Sequence, residues 1–449
     1  MHVSLLPDTQ AASAAIPDTR PSSKRDYHVV LFFWNVAMVI IGYGLANVTG
    51  MASLAPMKIL RIVLLAFSLI YLFNSRKQYV YIFKGRSSWI IWAFIALNMY
   101  VLPFSASMAI SLEKFINLVP YFIYLNYFII YLHRRYNKEQ ILNMILNVFN
   151  IVYVIPLFSF IFLGGNFSQE DIYGEMVGGF ISNHYGWSSA IFITTTVDLL
   201  RNDYSLSKKR RIIIFFLLLL SCYVLVISGS RSGYLTVALC FLLFILRNTN
   251  SSLFVKLASV LLVSFFVIQL YGNENSAFNK RLDKTETQLE KGDARTQTYA
   301  LGYETMADNP STIITGFGFY AFREALISFN KEITIDKLKI SLHNSYYELL
   351  FGSGIFIFTF FVVLFVLNTL LSFFRFHSAH YIFLPPLIFI PFFENNFNPG
   401  QFLFFPWFSI MFYYMHYREK QIMISVHSAP EATTTDLIYN QKNVAATHE

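Results

Sequence analysis

Three residues in this 449-residue chain have the type and setting for chemistry on an anion: Arg231, Arg295 and His343. Arg231 lies in Ser228-Gly229-Ser230-Arg231-Ser232-Gly233, a tight turn between two apolar runs. Small flanking residues let a ligand approach the backbone, and Ser230 or Ser232 is placed to cap the next helix. The helix N-terminus adds partial positive charge, which favours an anion; the competing reading is an arginine bound to lipid headgroups. Arg295 follows Asp293, a good N-cap for a helix that runs to about Asp308 before Asn309-Pro310. A cation in a first turn opposes the helix dipole and needs an anionic ligand or a neighbour such as Asp293 to offset it. His343 precedes a helix for which Ser345 and Glu348 form a capping box. The positive helix end favours a neutral imidazole near pH 7, the state a general base needs; the alternative is a histidine bonded to backbone at a helix end.

The elements that must position these residues are membrane helices. Hydrophobic residues make up 55% of the chain and charged residues 13%, with mean hydropathy +0.49. A soluble chain carries about a quarter charged residues. The apolar residues form blocks long enough to cross a bilayer, at about 29–46, 59–73, 88–104, 115–132, 141–163, 180–200, 212–227, 232–246, 253–271, 349–374, 380–393 and 401–417. About twelve crossings follow, and the fold class is all-α. Basic clusters fall at alternate loops, which puts both termini in the cytoplasm and the long polar loop 272–348 outside. The net charge of +8 is therefore topological, and nucleic acid is not an expected partner. Residues 1–28 and 418–449 read as disordered cytoplasmic tails, the first without the apolar core of a signal peptide. Cys222 and Cys240 lie inside apolar blocks and read as packing residues. His184, in Ser182-Asn183-His184-Tyr185-Gly186, reads as a packing residue too.

Charge is scarce in the middle of the blocks, where ion-coupled transporters keep it. P-loops, His/Cys metal clusters and the GxSxG elbow are missing from the sequence. The loop after the first helix has no acidic pair that could hold a divalent metal, and the candidate site offers basic residues instead.

Together the pieces resemble the O-antigen ligase and polymerase family, which moves glycans off undecaprenyl diphosphate. The resemblance rests on Ser-Gly-Ser-Arg231-Ser-Gly between two helices, Asp-Ala-Arg295 with Tyr299 four residues on, the Gly316-Phe-Gly318 turn, and Leu-His343-Asn344 before a helix containing Gly352 and Gly354. It extends over most of residues 29–417; family members often carry Trp near the Arg295 segment, where this chain has Tyr299. The resemblance implies a GT-C-type membrane glycosyltransferase, inverting, metal-independent and without a cofactor, working at the outer face of a bacterial inner membrane. It assigns Arg231 and Arg295 to the donor diphosphate and His343 to the proton of the acceptor hydroxyl. The acceptor is lipid A-core sugar for a ligase, the favoured reading, and another lipid-linked repeat for a polymerase. A non-catalytic carrier or flippase of lipid-linked sugars is the rival of another class.

Overall fold

The computed structural model describes residues 26–48, 55–74, 85–162, 176–177, 180–202, 207–228, 230–247, 294–329, 344–375, 390–392 and 403–428, with the single positions 397, 399 and 401. It is a polytopic helical membrane protein. The first group of helices is α1 (Tyr27–Val48), α2 (Ala55–Asn74), α3 (Arg86–Val101), α4 (Met108–Arg135), α5 (Lys138–Val152) and α6 (Val154–Phe162). A two-stranded ribbon, β1 (Met176–Val177) with β2 (Phe180–Ile181), leads into α7 (Ser182–Asn202), α8 (Lys208–Ser228) and α9 (Arg231–Arg247). Three shorter helices occupy the polar loop: α10 (Ala294–Asp308), α11 (Ser311–Thr315) and α12 (Phe322–Phe329). The chain then forms α13 (Ser345–Phe361), a π-helical stretch at Val362–Leu367, α14 (Asn368–Arg375) and α15 (Phe404–Ser428).

Apart from the three helices of the polar loop, these helices fall on the apolar blocks, because in a bilayer a backbone can satisfy its hydrogen bonds only within a helix or a closed barrel. Among the described residues, six helices are long and apolar enough to cross a membrane: Met57–Asn74, Arg86–Phe104, Met108–Arg135, Lys138–Phe162, Lys208–Ser228 and Ser345–Ser372. Tyr27–Gly42 and Ser232–Leu242 are shorter apolar helices. The blocks expected at 253–271 and over most of 380–393 lie outside the described residues. The all-α expectation stands, with the two-residue strands of the β1–β2 ribbon a local addition among the described residues.

The centre is aromatic. Phe122 of α4 meets Phe404, Phe408 and Phe412 of α15, while Phe361 and Phe365 of α13 and its π-helical continuation pack against Phe94 of α3. Buried polar pairs then join neighbouring helices: Asn35 donates to Ser68 at 2.8 Å between α1 and α2, and Asn150 to Thr196 at 2.7 Å between α5 and α7. Hydrogen bonds of this kind fix register where lipid offers no hydrophobic drive. Outward faces are apolar in turn, with Ile62, Val63 and Phe67 of α2 and Ile213, Phe216 and Leu219 of α8 exposed.

Candidate functional site

The turn that carries Arg231 is built by serines. Ser230 caps α9, its Oγ accepting from the Gly233 N–H at 3.3 Å, and its carbonyl accepts the first helical bond from Tyr234 at 3.0 Å. The Ser230 N–H reaches back to Ser228 Oγ at 3.4 Å, which ties the end of α8 to the start of α9. Arg231 is thus the first residue of α9, and of the two serines open as caps it is Ser230 that serves. The side chains of Arg231 and Arg295, and all of His343, lie outside the described residues.

Helix α7 braces this turn from the side. Trp187 is buried and donates its indole N–H to Ser232 Oγ at 2.8 Å. Gly186 faces Ser230 so closely that a Cβ there would overlap the serine side chain. Sequence reasoning missed both residues; the nearest it came was His184, whose ring packs edge-on against Trp187 with centroids 5.3 Å apart.

Arg295 lies in the first turn of α10, which begins at Ala294 and ends at Asp308. An aromatic ladder docks α10 on α13. Tyr299 packs on Tyr347 with centroids 4.2 Å apart, Tyr303 meets Phe351 edge-on at 5.3 Å, and Gly302 lets the Phe351 ring approach the α10 backbone. Residue numbers rise together on both helices along this ladder, so the two run parallel and their N-termini share one end. The turn with Arg295 therefore lies at the same end as Asn344, the residue that follows His343. Burial, then the neighbouring Tyr347 phenol, push the Tyr303 hydroxyl above its ordinary range.

The start of α13 differs from the expected capping box. Asn344 is the N-cap, and its Oδ1 accepts from the Tyr346 and Tyr347 N–H groups at 2.9 and 3.1 Å. Ser345 is already helical, so Glu348 falls one position beyond the place a box requires. The Glu348 carboxyl is buried and accepts instead from the backbone N–H of Tyr320, a residue in the left-handed region at φ 62°.

That bond belongs to a larger joint. Helix α13 is broken at Gly354, with φ 78° and ψ 172°. The break frees the carbonyls of Phe351 and Gly352, which accept from the N–H groups of Phe317 at 2.6 Å and Gly318 at 2.8 Å. The Phe317 carbonyl in turn accepts from Ala106 at 2.7 Å, in the link between α3 and α4. Ser353 donates to Asn98 of α3 at 2.8 Å. The glycine turn after α11 is thus inserted into an interrupted membrane helix, the kind of backbone that a bilayer tolerates only where protein satisfies it. Arg323 and Glu324 are the charged residues of α12 beyond this turn, and Glu324 acts electrostatically on Glu348.

As to metal ligation, the described residues contain no group of three or more His, Cys, Asp or Glu side chains. The arrangement instead offers helix N-termini at the serine turn, at α10 and at α13, each a source of N–H donors and partial positive charge. In comparisons with known proteins, residues 216–362 match a family model described as O-antigen ligase. This interval runs from within α8 to the end of α13 and includes Arg231, Arg295 and His343. No curated protein gives a significant match to the chain.

Proposed function

We propose that this chain, whose residues 216–362 match the O-antigen ligase family model, moves a glycan from undecaprenyl diphosphate to an acceptor sugar at the outer face of a bacterial inner membrane. The acceptor hydroxyl attacks the anomeric carbon, the bond from that carbon to the diphosphate oxygen breaks, and the lipid diphosphate leaves. Attack from the far side inverts the anomeric centre. Arg231 and Arg295 hold the diphosphate, since a guanidinium binds phosphate oxygens through two parallel N–H bonds and keeps its charge. Their hold tightens as the leaving oxygen gains charge, the interaction that lowers a barrier. His343 takes the proton from the acceptor hydroxyl. Two arginines with helix N-termini supply the positive charge that other phosphate enzymes draw from a metal ion.

The observation that carries this reading is the parallel docking of α10 on α13. It puts the first turn that holds Arg295 at the same end as Asn344, next to His343. An anion binder and a proton acceptor belong at one end of a site, and the ladder supports that arrangement. We favour the ligase-type acceptor, lipid A-core sugar, over polymerisation of lipid-linked repeats.

The glycan profile of a deletion strain tests the proposal. Loss of all attached polymer with long lipid-linked chains retained is the ligase result. A single-repeat cap on the core would move the assignment to polymerase. Lipid-linked units trapped at the cytoplasmic face would replace catalysis with a carrier role.

A further inference from the structure

We propose that Trp187 and Gly186 of α7 are positioning residues for Arg231, a role that rests on the diphosphate-binding reading of that arginine. Arg231 sits between Ser230 and Ser232, and α7 grips both. Trp187 Nε1 donates to Ser232 Oγ at 2.8 Å, and the two serine hydroxyls lie 3.3 Å apart. Gly186 receives the Ser230 side chain in the space where any other residue would hold its Cβ. From the opposite side, a Cβ on Gly233 would come within 2.9 Å of the Gly186 carbonyl oxygen. The N-terminal end of α7 is therefore a fitted bracket whose contacts fall on the residues immediately before and after the arginine. Trp187 is itself held, buried and packed edge-on by His184. The bracket lies outside the 216–362 domain, so the domain's first arginine is set by a helix the domain does not contain.

Without the Trp187 bond, Ser232 is free to swing its hydroxyl toward Ser230 alone, and the first turn of α9 rotates. A bidentate arginine tolerates little rotation, because a displacement of about 1 Å in a reacting assembly costs on the order of 10²-fold in rate. Trp187 touches neither donor nor acceptor in this account; it acts through Arg231.

Transfer kinetics with purified protein distinguish this role from simple packing. The variants are Trp187→Phe, which keeps an aromatic ring and removes the donor, and Ser232→Ala, which removes the acceptor together with its hydroxyl contact to Ser230. Each is made in the wild-type and in the Arg231→Lys background, after monodisperse extraction has been checked. We expect either change to lower transfer by about 10-fold, the scale of one lost hydrogen bond. The loss should fall on donor KM and kcat, with acceptor KM unchanged. The double variant Trp187→Phe/Ser232→Ala should be no slower than the slower single one, and in the Arg231→Lys background either change should add less than about 2-fold. Normal transfer by Trp187→Phe and Ser232→Ala, or a full multiplicative loss on top of Arg231→Lys, would overturn the inference while leaving the proposed function intact. Wild-type transfer by Arg231→Lys itself would remove the diphosphate role of Arg231 and this inference with it. Should Trp187→Phe fail to fold, Ser232→Ala decides by the same criteria.

Discussion

Asn344, the residue after His343, caps α13 by itself. Its side chain satisfies the Tyr346 and Tyr347 N–H groups of the first turn. The expected division of labour is visible in pH. A general base acts when neutral, so wild-type transfer should fall as pH drops through the ordinary imidazole range and protonation removes the base. His343→Ala should lose about 10²–10⁴ in rate, lack that acid limb and retain donor affinity. Near-normal transfer by His343→Ala from about pH 5 to 8 would end the general-base role. Sequence spacing placed the start of α13 to within a residue but named the wrong cap. Ser345 and Asn344 are both good capping types, and only the backbone shows which one is still extended. Trp187 was harder to find, because its partner is 45 residues away and no local pattern links an indole in one helix to a serine in another.

Helix α13 teaches the same lesson at the next scale. Its hydropathy is continuous, and Gly352 and Gly354 read as small residues inside an apolar helix. The interruption depends on the Gly316–Tyr320 turn, which supplies the N–H groups that the broken helix cannot, and pairings that distant leave no periodic trace. The glycine turn itself was legible as a motif, though not its insertion into a helix. Gly354 and Gly316, at ψ 172° and −174° with positive φ, occupy a region that only glycine adopts without strain. Gly354→Ala should therefore cost at least about 1–3 kcal/mol of backbone strain, and more through the overlap of its Cβ with the Ile314 carbonyl. Gly352→Ala should cost less, since its φ is not left-handed and its Cβ meets nothing nearer than 3.2 Å. Thermal unfolding in detergent should rank wild type above Gly352→Ala and Gly352→Ala above Gly354→Ala. A Gly354→Ala protein as stable as wild type would mean that α13 runs unbroken.

For the molecule as a whole, hydropathy foretold the six described helices that are long and apolar enough to cross a membrane, because the bilayer penalises every unpaired backbone group along the full length of a segment. What the pattern cannot give is how helices contact one another, and the candidate site is made of such contacts: α7 on the serine turn, α10 on α13, the glycine turn in the break. Orientation is set by the alternation of basic clusters and predicts 272–348 outside with both tails inside. Single cysteines at Thr287 and Ser428 should then label oppositely with a membrane-impermeant reagent in intact spheroplasts, Thr287 reacting and Ser428 protected. The reverse pattern would put the long loop in the cytoplasm, away from the face where the proposed reaction takes place. The central claim, that two arginines at helix N-termini carry the leaving diphosphate, is tested most directly by the rate of transfer from a lipid-diphosphate-linked glycan with purified Arg231→Lys and Arg295→Lys proteins. Each should lose about 10²–10³ in rate, since lysine lacks the planar fork that grips phosphate oxygens in pairs. Transfer near the wild-type rate by both variants would show that the diphosphate is held elsewhere.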